Sequence, residues 1–153
     1  MRSLFRILFG FIVASLAAGV AQVLFVITPA EIAALPAAAI PERLQQAGLL
    51  ALFAATHSAV FSAPFALVAV IVAESQGLRS PIYYVLAGLA TAIAGFFAQR
   101  TGEPTGETIV NNYAAQAFLA TGFAGGLAYW LAAGRRAGGR RADPGPTPRV
   151  RAS

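Results

Sequence analysis

From Ala47 to Ala73 the chain runs without a single Asp, Glu, Lys or Arg, and three other stretches nearly match it. They extend from about Leu4 to Ile27, from Ile82 to Ala98 and from Ile109 to Ala133, with Arg6 the one charged residue among them. A helix of roughly 20 apolar residues crosses the ~30 Å hydrocarbon layer of a bilayer, and all four stretches approach that length, the third being the shortest. Water is an implausible solvent for such a chain. Only 11% of its residues are charged, against about 25% in ordinary soluble domains, so lipid must cover much of its surface. Backbone polar groups in hydrocarbon have to be satisfied within their own segment, which selects helices. The expected fold is all-α: an integral membrane four-helix bundle, antiparallel and up-down, over residues 1–133, followed by a tail over 134–153.

Local signals punctuate the spans at sensible places. Thr28-Pro29-Ala30-Glu31 has the form of a capping box with proline at the first helical position, so a short helix is expected there. Pro36 and Pro41 break the connection, and Glu42 falls in the first turn of the second span, where it suits the helix dipole. Gly77 is a C-cap candidate, and Ser80-Pro81 reads as N-cap and first turn of the third span. Thr101-Gly102-Glu103-Pro104-Thr105-Gly106-Glu107 is turn chemistry. Pro64, inside the second span, frees a carbonyl and is expected to kink the helix. Arg2 and Arg6 before an apolar run resemble a signal peptide, but that run continues through Ile27, past the usual core of about 7–15 residues, which favours an uncleaved span.

The arginines set the orientation. Arg2, Arg6, Arg79, Arg135, Arg136, Arg140, Arg141, Arg149 and Arg151 would share one side, against Arg43 and Arg100 on the other. Positive charge collects on the cytoplasmic side, so both termini are expected there. Tyr83, Tyr84, Tyr129 and Trp130 then lie at the depth of an interfacial aromatic belt. The tail is rich in Gly, Pro and Arg and has no apolar periodicity, so it is expected to be disordered. Its arginines suit anionic lipid headgroups. Nucleic acid is disfavoured because the tail carries no aromatic residue to stack on bases.

Helices in lipid associate through close packing of small residues. The second span offers Ala47, Ala51, Ala55, Ala59 and Ala63; the fourth offers Ala120, Ala124, Ala128 and Ala132 beside Gly122 and Gly126. Ser15 and Gly19 in the first span, and Ala87, Thr91 and Gly95 in the third, complete a set of smooth faces.

Chemistry is sparse. With no cysteine and one histidine, the chain lacks the ligands for a metal centre, and no cofactor is implied. Ser58 adjoins His57, but helical neighbours point about 100° apart and no acid orients the imidazole. Gln22, His57 and Gln116 map to the outer half of the bilayer, with Thr56 and Asn112 at similar or shallower depth, and a candidate polar pocket open to the periplasm could be built from Gln22, His57, Thr91, Asn112 and Gln116. Hydrogen-bonding glue between helices is the favoured role for the same residues, ahead of the pocket. Glu74, at a helix C-terminus where the dipole disfavours it, is expected to form a cytoplasmic hairpin clamp with Arg79 or with an arginine after the fourth span.

The stretch Glu74-Ser75-Gln76-Gly77-Leu78-Arg79-Ser80-Pro81-Ile82-Tyr83-Tyr84-Val85-Leu86-Ala87-Gly88 resembles a hairpin of small uncharacterised four-helix proteins of the bacterial inner membrane. The end Gly126-Leu127-Ala128-Tyr129-Trp130-Leu131-Ala132-Ala133-Gly134-Arg135-Arg136-Ala137-Gly138 is similar to the close of the same group. The resemblance implies four helices in that membrane and no activity. The resulting expectation is a non-enzymatic membrane protein acting by association, as accessory subunit or homo-oligomer. The alternative is a transporter or channel component with its polar pocket around His57.

Overall fold

The computed structural model describes residues 2–102 and 112–138. Its helices are α1 (Arg2–Val26), α2 (Pro29–Ala33), α3 (Ile40–Gln76), α4 (Pro81–Gly102) and α5 (Asn112–Ala132), with 3-10 turns at Ala37–Ala39 and Gly134–Arg136. No strand occurs among the described residues. Three helical stretches, Ser3–Val26, Ala37–Gln76 and Pro81–Ala98, are long and apolar enough to cross a membrane. α5 falls outside that set although it has 21 residues. Asn112, Gln116, Thr121 and three glycines dilute its apolarity, and its position explains why: α5 packs along both α1 and α4.

The helix ends follow the local chemistry. Thr28 Oγ1 accepts the Glu31 N–H at 3.2 Å, with Pro29 opening α2. Gly77 closes α3 in the left-handed region at φ 68°, and the Leu78 N–H reaches the Ala73 carbonyl at 2.9 Å. Pro81 is the first residue of α4. Pro41 lies in the first turn of α3, where a missing N–H costs nothing. Instead of merely ending the connection it starts the helix, and α3 runs for 37 residues, about 55 Å at 1.5 Å per residue. Helical structure continues through Pro64. α4 likewise extends past Ala98 to Gly102. The rest of the expected turn over 103–107, the start of the fourth span at 109–111 and the tail from 139 onward lie outside the described residues.

Residues 134–138, assigned by composition to the tail, fold back against the hairpin between α3 and α4. Gly134 presses on the Tyr84 ring so closely that a Cβ there would stand 2.7 Å from a ring carbon. Gly138, at φ 68°, lies against Gly77.

α1 packs on α3 and α5, and α5 on α4, whereas α3 and α4 meet only sparsely. The α4–α5 contact brings backbone against backbone. A Cβ on Gly122 would stand 2.7 Å from Ala92 Cβ, one on Gly126 2.9 Å from Val85 Cα, and one on Gly88 would strike the Gly122 carbonyl. Gly19 makes the matching approach to α3 at Ala51 and Ala55. Of the alanine series on α3, Ala55 is buried but Ala63 is exposed. Four-residue steps advance about 40° per repeat on a 3.6-residue helix, so the series rotates out of the interface.

The core is concentrated at one end, where Val70, Ala73, Tyr84, Tyr129 and Ala133 are buried together. Tyr84 and Tyr129 stack with centroids 5.4 Å apart. These two tyrosines therefore belong to the core rather than to a belt. Tyr83 and Trp130 remain more peripheral, with their polar ends on the Ala69 carbonyl at 2.7 Å and the Arg79 carbonyl at 2.8 Å. Outside this core large apolar side chains point away from the molecule: Phe5, Phe53 and Val60 are 73%, 74% and 75% exposed.

Candidate functional site

Small residues that bring α1, α4 and α5 together also leave a void where α3 stands off from α4. The result is a cavity of about 150 Å³ walled by all four long helices. Phe11, Tyr84 and Tyr129 line one end, and Gln22, Ser58, Phe61 and Phe118 line the other. Between them the α3 wall is Ser62, Ala66 and Ala69, and the α4 wall is Ala87, Gly88 and Thr91. Most of its polar side chains are already occupied. Ser15, Thr91 and Thr121 donate to the carbonyls of Phe11, Ala87 and Ala117 on their own helices at 2.8–2.9 Å. The Gln22 amide donates to Ser58 Oγ at 3.2 Å. The wall is thus apolar, with a short polar strip near Gln22.

Of the five residues assigned to a polar pocket, Gln22 and Thr91 line this cavity and His57, Asn112 and Gln116 do not. Those three are exposed on the outer surfaces of α3 and α5. The α3 residue that meets Gln22 is Ser58, and the ~100° between helical neighbours carries His57 outward. His57 has no hydrogen-bond partner among the described residues, whereas Thr56 beside it donates back to the Leu52 carbonyl at 2.8 Å. Ser58, Ser62 and Thr121 also line the wall; the four-residue spacing of Ser58 and Ser62 on one face of α3 is the signal for two of them that the sequence carries.

A second cluster closes the end where the chain enters α1. The Arg6 guanidinium pairs with Glu74 Oε1 and also donates to the Arg136 carbonyl. The other Glu74 oxygen accepts the Gly138 N–H at 3.0 Å. Glu74 and Arg79 do share this cluster, but they form no ion pair: Glu74 turns to Arg6, and Arg79 Nε donates to the Ala137 carbonyl at 2.9 Å. Gly77 reverses the chain between them, and α1 brings a nearer cation to Glu74. The Trp130 N–H on the Arg79 carbonyl and the Tyr84 hydroxyl on the Leu78 carbonyl, at 2.8 and 3.0 Å, tie α4 and α5 into the same knot. At the opposite end Arg43 pairs with Glu31 at 2.5 Å.

Chemically, the cavity can take an apolar guest, the knot can lock an end of the helices, and His57 can offer one outward hydrogen bond. Among the described residues no three His, Asp or Glu side chains converge to hold a metal ion. No known protein family, curated protein or solved structure matches the chain.

Proposed function

We infer that the chain is a non-enzymatic protein of the bacterial inner membrane that works by association, through the outward face of α3. It would cross the membrane as an antiparallel bundle of α1, α3, α4 and α5 with both termini cytoplasmic. The exposed apolar side chains on these helices support insertion. The gathering of Arg6, Arg79 and Arg136 at one end and of Glu31 with Arg43 at the other agrees with the positive-inside rule.

The observation that carries the reading is His57, exposed and without a hydrogen-bond partner among the described residues, about three residues from the middle of its span. Ionisable residues at membrane depth nearly always face a bundle interior or a watery cavity, because hydrocarbon leaves their polar atoms unsatisfied. On α3, Leu50, Phe53, His57 and Val60 are all exposed at the 3-4 spacing of a helix–helix seam, and beyond Pro64 the exposed Leu67 and Ile71 continue the same phase. A single polar residue in such a seam fixes register and partner number. A second copy satisfies the depth requirement by symmetry, since two equivalent imidazoles lie level with each other. An accessory subunit would do so with one donor or acceptor at that depth.

The test is recovery of the tagged protein and its His57→Leu variant in nanodiscs, with mass spectrometry of everything retained. A second copy or stoichiometric companion, lost in the variant, is expected. Recovery of the wild-type protein as a lone chain overturns the reading. A transporter reading draws on Gln22 and Thr91 in the cavity wall. It is the weaker one, because His57, Asn112 and Gln116 lie outside that cavity.

A further inference from the structure

We propose that the cavity between α3 and α4 is a binding site for one hydrocarbon chain, admitted sideways from the bilayer. The inference rests on the membrane insertion proposed above and is independent of association through His57. Four observations lead to it. First, the space is bounded by all four long helices and measures about 150 Å³, the volume of an apolar cavity that takes up guests such as benzene or xenon. Second, the hydroxyls of Ser15, Thr91 and Thr121 are spent on their own helices, which leaves Ser62 as the one hydroxyl in the middle of the wall without a hydrogen bond among the described residues, in a lining otherwise apolar there. Third, the space is elongated: its α4 wall runs from Tyr84 to Gly95, about 16 Å at 1.5 Å per residue.

The fourth observation is the route in. α3 and α4 approach each other sparsely along their length. The Tyr83 hydroxyl reaches the Ala69 carbonyl at one end of the seam, and the Phe61 ring lies over Gly95 at the other, 3.3 Å from where a Cβ would sit. Between these two bridges the seam is flanked by Ser62 and Ala66 on α3 and by Ala87 and Thr91 on α4. Side chains this small leave a slot, and Leu67, Val68 and Leu86 on the same two helices present exposed apolar surface beside it in sequence. A guest arriving there comes from lipid, and a chain one methylene wide is the guest that fits a slot of this shape.

The test uses the full-length protein in phospholipid vesicles doped with one of two photoreactive probes. One is a phosphatidylethanolamine with a diazirine in its acyl chain; the other is a free fatty acid bearing the same group. After illumination, adducts are mapped by peptide mass spectrometry. Adducts at Ala66, Ala87 and Thr91 are expected in addition to those at the outward-facing Leu67, Val68 and Leu86. Inward adducts from the phospholipid identify the guest as a lipid tail, and inward adducts from the fatty acid alone identify a free lipophile. Adducts confined to Leu67, Val68 and Leu86 overturn the site while leaving insertion intact. Absence of adducts on both faces overturns insertion and the site with it. The variant Ala66→Leu/Ala87→Leu, which fills the slot, is expected to lose the inward adducts and keep the outward ones. The wild-type pattern decides the matter alone if that variant fails to fold.

Discussion

Arg6 and Glu74 stand 68 positions apart in the chain yet form an ion pair that joins the first turns of α1 to the last turn of α3. Their side chains retain 19% and 30% of their exposure, so the pair is partly shielded from water. Glu74 also accepts the Gly138 N–H, and Arg6 also donates to the Arg136 carbonyl, so one contact gathers three segments.

Removing either partner leaves the other charge half-buried. Loss of one member of a fully buried pair costs about 3–5 kcal/mol, and partial exposure reduces this to about 1–3 kcal/mol. Glu74→Gln and Arg6→Met are therefore expected to lower Tm in detergent by several degrees. Arg79→Ala, which removes one hydrogen bond to a carbonyl, should cost about 1 kcal/mol. Thermal unfolding of the three variants checks the order, and an Arg79 effect larger than the Glu74 effect contradicts it.

Trp130 is the one tryptophan of the chain, so its emission reports on the knot alone. Its N–H bonds the Arg79 carbonyl, the Arg135 guanidinium lies over its ring at 5.3 Å, and Arg79 is anchored to Ala137. A chain ending at Gly138 keeps each of these contacts and should keep the wild-type spectrum. A chain ending at Ala133 loses Arg135 and Ala137, and its emission should shift. Identical spectra for the two truncations would show that residues 134–138 are not part of the folded unit.

The glycines differ in what surrounds them. Gly122 has no room for a methyl group between Gly88 and Ala92, so Gly122→Ala should destabilise by about 1–3 kcal/mol through overpacking. Nothing lies within 4 Å of a Cβ placed on Gly48, so Gly48→Ala should be neutral or stabilising, by up to about 1 kcal/mol from helix propensity. Detergent melting curves of the two variants provide the comparison. Equal destabilisation would contradict the close α4–α5 approach.

Much of this was legible in the residues themselves. Uncharged runs marked the long helices, while Thr28, Gly77 and Pro81 marked ends by chemistry confined to a few neighbouring positions. Small-residue spacing pointed to Gly19, Gly122 and Gly126 as contact points. What lay beyond reach was rotational phase. His57 and Ser58 share one depth, and only the packing of α1 on α3 decides which of them meets Gln22. Arg6 as partner of Glu74 was likewise hidden by sequence distance, because Arg79 lies only five residues from Glu74 and drew the assignment. Tyr84 and Tyr129 sat at the right depth for a belt, and their burial follows from the close passage of α4 along α5, which Gly88 and Gly126 permit.

The face-specific association of α3 is tested most directly by cysteine cross-linking in intact membranes, since the chain has no cysteine of its own. Single cysteines at Leu50, Phe53 and Val60 on the outward seam, which leave His57 in place, are compared with one at the buried Ala55, each carrying a short photo-cross-linker. The account predicts protein adducts from positions 50, 53 and 60 and none from position 55. Adducts only to lipid from all three seam positions would contradict it.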